Sequence, residues 1–350
     1  MNRSLVLSID AMGGDHGPGV VVPGVAIAAG RIPQAGFLLF GDQAAIEAEL
    51  ARCPTLEGRA EIRHCDRVIA MDEKPAQAVR RGKGTSMWSA VEAVKAGEAH
   101  AAVSAGNTGA LMAVSLLLLR MSVPMDRPPL VVSWPGHKGV TTVLDVGANV
   151  DCDAERLVEF AILGAAFHRV AHGAARPTVG LLNVGSEDMK GHEEVREAHA
   201  LLRAGDFDFD YRGFVEGDDL SKNTVDVAVT DGFTGNIALK TAEGTARYLG
   251  AELRQALTGS LLSTLGAALA RGGLLKFREK MNPPPAAPLL GLNGVVVKSH
   301  GGAVDRQFAD AIGVAADLAQ SDFAAEIERN MTRLTAAVAE QPPAVDGAAE

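Results

Sequence analysis

The chain has 350 residues, and 47% of them are hydrophobic, which is too many for a disordered protein and enough for one large core or for two lobes that share a sheet. Its 33 basic and 43 acidic side chains give a net charge of −10, which disfavours a nucleic-acid binder that works through a basic surface. The 3 cysteines fit neither a disulfide framework nor a zinc site, a usage typical of a reducing cytoplasm.

Short apolar segments bounded by Gly, Asn and Asp alternate along the chain with segments of helical periodicity. The predicted strands, in chain order, are LVLSI, GFLLF, HAAVSAG, LVVSW, VTTVLDVG, PTVGLLNVG, DVAVTDG and NGVVVKSHG. The clearest predicted helices cover residues 86–96, 108–120, 154–171, 193–202 and 236–257. This alternation predicts an α/β protein in which helices cover both faces of a mostly parallel sheet.

Several stretches of the chain need a separate interpretation. The N-terminal apolar run reads as a first strand rather than as a signal peptide, and the longest apolar runs are too short to span a bilayer. Residues 258–288 combine an Ala/Leu-rich stretch, LLKFREK and NPPPAAP, and they predict a helical hairpin with an apolar face and a basic fringe. Such a hairpin can contact an anionic membrane, a dimer mate or the body of the protein.

Residues 1–335 are expected to form one two-lobed catalytic domain, and residues 336–350 a disordered tail.

Glycines and polar residues gather where predicted strands end and helices begin. Five such turns stand out, at residues 10–19, 103–110, 145–152, 183–194 and 229–236. A glycine lets the backbone approach a ligand, and a helix N-terminus offers unpaired amides to an anion. In parallel sheets this edge is also where ligands bind, so the five turns together predict a phosphate site, although any one of them can be a tight turn without a ligand.

Several alternative motifs are absent from the sequence. No strand-to-helix turn reads G-x-G-x-x-G, RGKGTS at residues 81–86 lacks the first glycine of a P-loop, and there is no G-x-S-x-G elbow. His168 and His172 are spaced for one helix face but have no acidic partner between them. The sequence therefore predicts neither a metal nor a cofactor.

Seven ordered motifs resemble those of the PlsX family of phosphate acyltransferases, and together they cover residues 8 to about 334. They are IDAMGGD, VSAGNTGALM, LDVGANVDC, LLNVGSEDMKG, VEGDDL, VTDGFTGNIALKTAEG and APLLGLNGVVVKSHG. The resemblance implies a three-layer α/β/α fold related to phosphotransacetylases and to isocitrate and isopropylmalate dehydrogenases, and it implies a homodimer. The chain departs from the family at residues 82–87, where GKGTSM replaces a K-x-D/S-S-S-M pattern.

The resemblance also implies a reaction and a location. The family transfers a fatty acyl group from acyl carrier protein to inorganic phosphate, and a membrane glycerol-3-phosphate acyltransferase uses the acyl phosphate for phospholipid synthesis. A cytoplasmic enzyme peripherally associated with the inner leaflet is expected, and the basic fringe of residues 258–288 can equally attract acidic carrier protein. Three alternatives remain open: a phosphotransacetylase-like enzyme that uses coenzyme A, a lipid-sensing adaptor without activity, and a decarboxylating dehydrogenase.

Two residues fall on the positions of the family's functional Lys and Asn. Lys190 is expected to neutralise phosphate and the oxyanion, and Asn236 to donate its amide, with a solvated lysine and a simple helix cap as the alternatives. Asp10, Asp145 and Asp231 are interpreted mainly as organisers of the strand ends, since carboxylates repel phosphate. The residues expected to bind phosphate or the acyl group are Asp10, Gly13, Gly14, Ser104, Gly106, Asn107, Thr108, Asn149, Asp231, Gly235 and His300.

Overall fold

The computed structural model describes residues 5–281 and 286–339. Its strands are β1 Leu5–Asp10, β2 Ala35–Gly41, β3 Ala60–His64, β4 Ala101–Ser104, β5 Val131–Pro135, β6 Val140–Leu144, β7 Thr178–Leu182, β8 Asp210–Val215, β9 Val227–Val229, β10 Ala286–Pro288 and β11 Val295–Ser299. Its α-helices are α1 Pro18–Arg31, α2 Gln43–Leu50, α3 Pro75–Arg81, α4 Ser86–Lys95, α5 Thr108–Leu119, α6 Ala154–His172, α7 Glu193–Ala204, α8 Asp219–Lys222, α9 Gly232–Thr258, α10 Leu261–Leu269, α11 Arg271–Met281, α12 Asp305–Gln320 and α13 Phe323–Ala339. A short 3₁₀ turn covers Pro54–Leu56.

The described strands form two sheets that meet at their antiparallel edges. The first has the order β10-β11-β4-β1-β2-β3 and the second the order β5-β6-β9-β7-β8. Only the outer pairs β10/β11 and β5/β6 are antiparallel among these neighbours. A bridge between Leu130 and Leu289 joins the two edges. Because the other strands of each sheet are parallel, their carboxyl ends lie along one edge of that sheet.

The central strands are apolar on both faces because helices cover both sides. All of β1 and β2 is buried, as expected for parallel strands inside an α/β protein. On one face of the first sheet α1 packs against α12, while α4 and α5 pack together on the other. The largest core cluster runs continuously from β1 through α12 to α6 and the second sheet, so the two lobes share one core.

The predicted alternation is confirmed, with three differences. The parallel strands are divided between two sheets instead of one. The edge strands β3 and β8 escape the sequence pattern because polar or exposed residues interrupt their apolar run, and the edge strand β10 escapes it because its sequence, AAP, follows a run of prolines. Helix α9 begins at Gly232 rather than at residue 236, because the Asp231 side chain accepts a hydrogen bond from the Thr234 amide and caps the helix there.

The C-terminal third differs from expectation at two boundaries. Within residues 258–288, α10 and α11 form the predicted helical pair, but Ala286–Pro288 is a strand paired with β11, and residues 282–285 lie outside the described part. Helix α13 continues to Ala339, so the predicted tail is helical at its start, and residues 340–350 lie outside the described part. None of the described helices combines the length and the apolar character that crossing a bilayer requires.

Candidate active site

At the first sheet's edge, Asp10 ends β1 and Ser104 ends the neighbouring strand β4. The Ser104 hydroxyl donates to Asp10 Oδ2 at 2.7 Å and accepts from the Gly106 amide at 3.0 Å. Asp10 is only 1% exposed, and this burial raises the pKa of its carboxyl, which the Ser104 hydroxyl offsets only in part. The residues Asp10, Ser104 and Gly106, predicted from separate turns, therefore form one buried cluster.

Two glycines of the 10–19 turn are needed for close packing at this edge. A Cβ on Gly13 would lie 2.8 Å from both Asp10 Oδ2 and the Gly106 nitrogen. Gly14 has a φ of 86°, and a Cβ there would lie 2.8 Å from the Gly301 carbonyl oxygen. The structure thus gives both residues a packing role in joining the turns after β1, β4 and β11.

Lys298, near the end of β11, is a buried cation in the same region that the sequence patterns did not single out. Its side chain donates to the carbonyl of Ala105 at 3.2 Å and to the carbonyl of Ser299. It is 8% exposed, and burial lowers its pKa to about 8 against the attraction of Asp10 and Asp15. Lys298 therefore ties the β11 end to the β4 turn.

Three further predicted residues surround this cluster at the first sheet's edge. Asn107 caps α5, accepting from the Ala110 amide at 3.0 Å, and its side-chain amide donates to the carbonyls of Met71 and Glu73. Thr108 and His300 are exposed, and the His300 ring accepts from the Gly302 amide at 3.1 Å. Asn107 thus has a structural task, whereas Thr108 is open to a ligand.

At the second sheet's edge, Asp145 follows β6 and is fully buried. Its carboxylate accepts hydrogen bonds from the amides of Leu130, Gly147, Ala148 and Asn149 and from the Asn149 side chain, at 2.6 to 3.1 Å. The expectation that Asp145 organises its turn is confirmed. The side chain of Asn149 is thereby engaged inside the turn.

Asn236 lies in the second turn of α9 rather than at the helix start. Its side-chain amide donates to the Val146 carbonyl at 3.1 Å. Gly235 leaves room for this approach, since a Cβ there would lie 2.0 Å from the Asp145 carbonyl oxygen. The Gly232 amide donates to the Asn149 carbonyl at 2.7 Å. The residues of the 145–152 and 229–236 turns are therefore assembled as a second cluster, with Asp231 as the cap of α9.

Lys190 lies in the loop that follows β7, the strand next to β9 in the second sheet. The loop is closed by the Asn183 side chain, which donates to the Lys190 carbonyl at 3.0 Å. The Lys190 ammonium is half exposed and pairs with Glu187 at 2.8 Å, and this hydrogen bond raises the pKa of the lysine. It is a half-exposed, protonated cation on a long side chain at the same sheet edge as Asn236.

Other residues of this loop line a cavity with α7 and β8. The cavity has a volume of about 480 Å³ and includes Ser186, Asp188 and His199. Among the described residues, no hydrogen bond links the cluster around Asp10 with the cluster around Asn236 or with Lys190. The predicted residues thus form two clusters and one separate loop.

Comparison with known proteins decides the family. The chain matches the family described as "Fatty acid synthesis protein" over residues 5–326. It is 70% identical, over all of both chains, to a protein of Phenylobacterium zucineum named phosphate acyltransferase. It is 65% identical to one of the same name from Caulobacter vibrioides, over 97% of this chain and 95% of the relative. The chain belongs to the PlsX family of phosphate acyltransferases.

The fold of this PlsX family member is similar to that of a solved phosphotransacetylase structure. A phosphotransacetylase from Streptococcus pyogenes superposes with a TM-score of 0.58 at 17% identity, covering 90% of this chain and 94% of that chain. At this identity the likeness concerns the fold alone, and it confirms the predicted relation to phosphotransacetylases.

Lys298 is the residue that sequence reasoning missed, and its signal was a lone cation inside a run of valines.

Proposed function

We propose that this protein transfers a fatty acyl group from acyl carrier protein to inorganic phosphate, which forms acyl phosphate for phospholipid synthesis. The observation that carries the proposal is the similarity, over the whole length, to relatives named phosphate acyltransferase. The arrangement of strand-end turns supports it, because helix N-termini and the Lys190 cation lie at the carboxyl ends of parallel strands, a position suited to a phosphate substrate.

The reaction needs no nucleophile from the protein. A phosphate oxygen attacks the thioester carbonyl carbon, a tetrahedral oxyanion forms, the carbon–sulfur bond breaks, and the carrier thiolate leaves and takes a proton from water. Phosphate is partly dianionic near neutral pH, and a thiolate is a good leaving group. The protein therefore contributes positioning and electrostatic stabilisation.

Lys190 and Asn236 are proposed to act on the reacting groups. The Lys190 ammonium can leave Glu187, because an exposed ion pair of this kind is weak, and can then neutralise phosphate. The Asn236 amide lies 3.1 Å from a backbone carbonyl in a turn built by glycines, where an oxyanion can replace that acceptor. Thr108, Gly106 and His300 are proposed substrate contacts at the first sheet's edge.

Peripheral membrane association is proposed for α10 and α11. Leu261, Leu262 and Leu269 of α10 are 92%, 83% and 84% exposed, and Phe277 of α11 is 55% exposed beside Lys276. An exposed apolar face with a basic fringe is typical of a helix that lies in an anionic membrane surface. This contact would deliver acyl phosphate to a membrane glycerol-3-phosphate acyltransferase.

A homodimer is proposed through α9. The buried residues of this helix are Gly232 and Gly235, both in its first turn. Farther along the helix, Tyr248, Leu249 and Leu253 are 64%, 58% and 41% exposed. Large apolar side chains exposed together usually mark a surface that a partner covers.

The function is tested by trapping the product. Purified protein is incubated with palmitoyl acyl carrier protein and phosphate, and acyl phosphate is converted to a hydroxamate by hydroxylamine, with phosphate omitted in the control. Hydroxamate that depends on phosphate is the expected result. Its absence with the carrier thioester, together with product from palmitoyl coenzyme A, would replace the proposal with a phosphotransacetylase-like reaction.

A further inference from the structure

The segment between β3 and α4 is a basic surface in an acidic protein. Residues 67–83 carry five basic and two acidic side chains, a net charge of +3, in a chain whose net charge is −10. We call these residues the basic segment. Its exposed cations are Arg67, Lys74, Arg80, Arg81 and Lys83.

Neighbouring acidic residues do not neutralise the basic segment. Glu61 pairs with Arg63 at 2.7 Å, and Asp66 pairs with His64 at 2.6 Å. Within residues 5–281 and 286–339, no carboxylate forms an ion pair with a cation of the basic segment. Its charge is therefore available to an external partner.

The basic segment is fixed beside the first cluster of candidate site residues. The Asn107 side chain, at the head of α5, donates to the carbonyls of Met71 and Glu73 at 2.9 and 2.8 Å. The Met71 methyl group lies against Gly301, where an added Cβ would be 2.9 Å from it. Helix α3 of the segment packs on α5. A protein bound here would sit next to the turns after β4 and β11.

The surface also offers apolar contacts among its charges. Val68 and Met71 are 46% and 45% exposed within the basic segment. Protein interfaces of moderate affinity combine a small apolar centre with a charged rim that steers the partner. Both parts are present here in one short stretch of chain.

We propose that the basic segment is the docking surface for acyl carrier protein, an acidic partner. The proposal rests on the proposed function, since it names the surface through which that function's substrate arrives. Docking at residues 67–83 would place the carrier beside Asn107 and Thr108, from which its acyl thioester can reach the strand ends. Complementary charge would mainly accelerate the encounter and hold the carrier in register.

Paired charge reversals test this surface. Lys74→Glu with Arg80→Glu changes two exposed side chains, and Lys276→Glu with Arg271→Glu is a matched control on α11. The first variant is expected to raise the KM for palmitoyl acyl carrier protein about ten- to a hundredfold and to leave kcat at saturation within about twofold. Its KM should also depend less steeply on salt than that of the wild type. Lys74→Gln with Arg80→Gln should give a smaller rise, which keeps the test valid if the reversal perturbs folding.

Direct binding separates this proposal from the proposed function. Fluorescence anisotropy with labelled holo acyl carrier protein should give a weaker Kd for the Lys74→Glu/Arg80→Glu variant and an unchanged Kd for the α11 control. Equal affinity in wild type and variant, no binding by the wild type, or an equal loss in the α11 control would overturn the docking surface. A wild type that binds carrier but forms no acyl phosphate would contradict the proposed function while leaving the docking surface supported.

Discussion

Lys190 combines a permanent charge with an exposed, long side chain. Its hydrogen bond with Glu187 raises its pKa, so the ammonium remains protonated throughout the neutral range. The side chain is half exposed, so phosphate can displace Glu187 without uncovering a buried charge. An exposed cation on a loop that the Asn183 side chain holds suits a step in which charge moves from phosphate to the carbonyl oxygen.

Removal of this cation should impair chemistry and leave the fold intact. Lys190→Ala is expected to lower kcat for acyl phosphate formation about 100- to 1,000-fold, the usual cost of losing one oxyanion-stabilising group. The unfolding midpoint should not change. Lys222→Ala is the matched control, because Lys222 is also exposed and pairs with Asp218 at 2.6 Å. Normal turnover in Lys190→Ala would exclude the proposed role.

Lys298 should make the free energy of unfolding depend on pH. Its pKa is about 8 in the folded protein, against 10.5 for an unperturbed lysine, so between these values the unfolded chain binds more protons. The free energy of unfolding contributed by Lys298 must therefore rise with pH across this window. Relative to Lys298→Met, the wild type should gain up to about 3 kcal/mol between pH 7 and pH 10.5.

Urea unfolding of both proteins at several pH values measures this gain. The difference between the two, rather than either curve alone, isolates Lys298 from the other titrating groups. A difference that stays constant with pH would mean that the lysine is solvated in the folded protein. A difference that falls with pH would mean that a carboxylate compensates its charge.

For single residues, the sequence predicted where the candidate site residues lie better than it predicted what their side chains do. The glycines and polar residues of the turns do lie at the sheet edges, because strand ends are set by the apolar pattern. The side chains of Asn107 and Asn149, however, are already hydrogen-bonded, Asn107 to the Met71 carbonyl and Asn149 to Asp145, and the sequence pattern does not show which polar groups are paired. Lys298 was missed because a cation inside a strand has no turn signal.

At the scale of secondary-structure elements, the turn that follows β6 depends on one carboxylate, that of Asp145. Asp145→Asn keeps the shape but replaces an oxygen that accepts amide hydrogens with a group that donates them. The substitution should destabilise the protein by about 2–4 kcal/mol, since buried donors lose their acceptor. Asp153→Asn, at the exposed cap of α6, should cost about 1 kcal/mol or less.

Chemical denaturation of the two variants provides the comparison. A similar small loss in both would indicate that water replaces the hydrogen bonds of Asp145. Because Asn236 donates to Val146 in the same turn, Asp145→Asn should also reduce kcat. Retained activity in a destabilised Asp145→Asn variant would separate the turn from catalysis.

The α10 and α11 pair should bind anionic vesicles through its apolar face. Leu262→Ser with Leu265→Ser removes two exposed leucines of α10, 83% and 61% exposed. Co-sedimentation with phosphatidylglycerol vesicles should fall at least about tenfold, because each buried leucine contributes roughly 1.5–3 kcal/mol. Leu117→Ser on α5, where Leu117 is 49% exposed, should bind as the wild type does. Equal binding by the α10 variant would reject this face as the membrane contact.

The elements that the sequence predicted correctly share a strong apolar period. Helix α6 runs Ala154–His172, close to the expected residues 154–171, since most of its residues are buried and Asp153 caps it. Pro288 lies in the strand β10, at the edge of a sheet, where its missing amide is tolerated, and the run of prolines before it hid that strand. Edge strands depend on tertiary pairing more than on local pattern.

In the whole molecule, one core supports two sheets whose parallel strand ends carry the candidate residues. Helix α6 contacts α7, α12 and α13 and the strand β9, so it connects the packing of the two lobes. A continuous core makes independent unfolding of the lobes unfavourable. Composition alone allowed one core or two lobes, and the shared core could not be predicted because it depends on long-range packing between α6 and α12.

The proposed homodimer depends on the exposed apolar face of α9. Leu249→Asp with Leu253→Asp places two carboxylates on the exposed apolar face of α9, and burying them at an interface would be strongly unfavourable. Light scattering after size exclusion should give twice the monomer mass for the wild type and the monomer mass for this variant. Arg247→Asp, on the opposite side of the same helix, should remain dimeric.

The outcome also distinguishes the α9 face from other surfaces. A wild type of monomer mass at micromolar concentration would contradict the homodimer, and a dimeric Leu249→Asp/Leu253→Asp variant would move the interface away from this face. If the monomeric variant keeps its circular dichroism and its phosphate-dependent turnover, each subunit contains a complete site. Loss of turnover with intact structure would instead mean that the partner subunit completes the site, because the α9 helix is capped by Asp231 and carries Asn236 in its second turn.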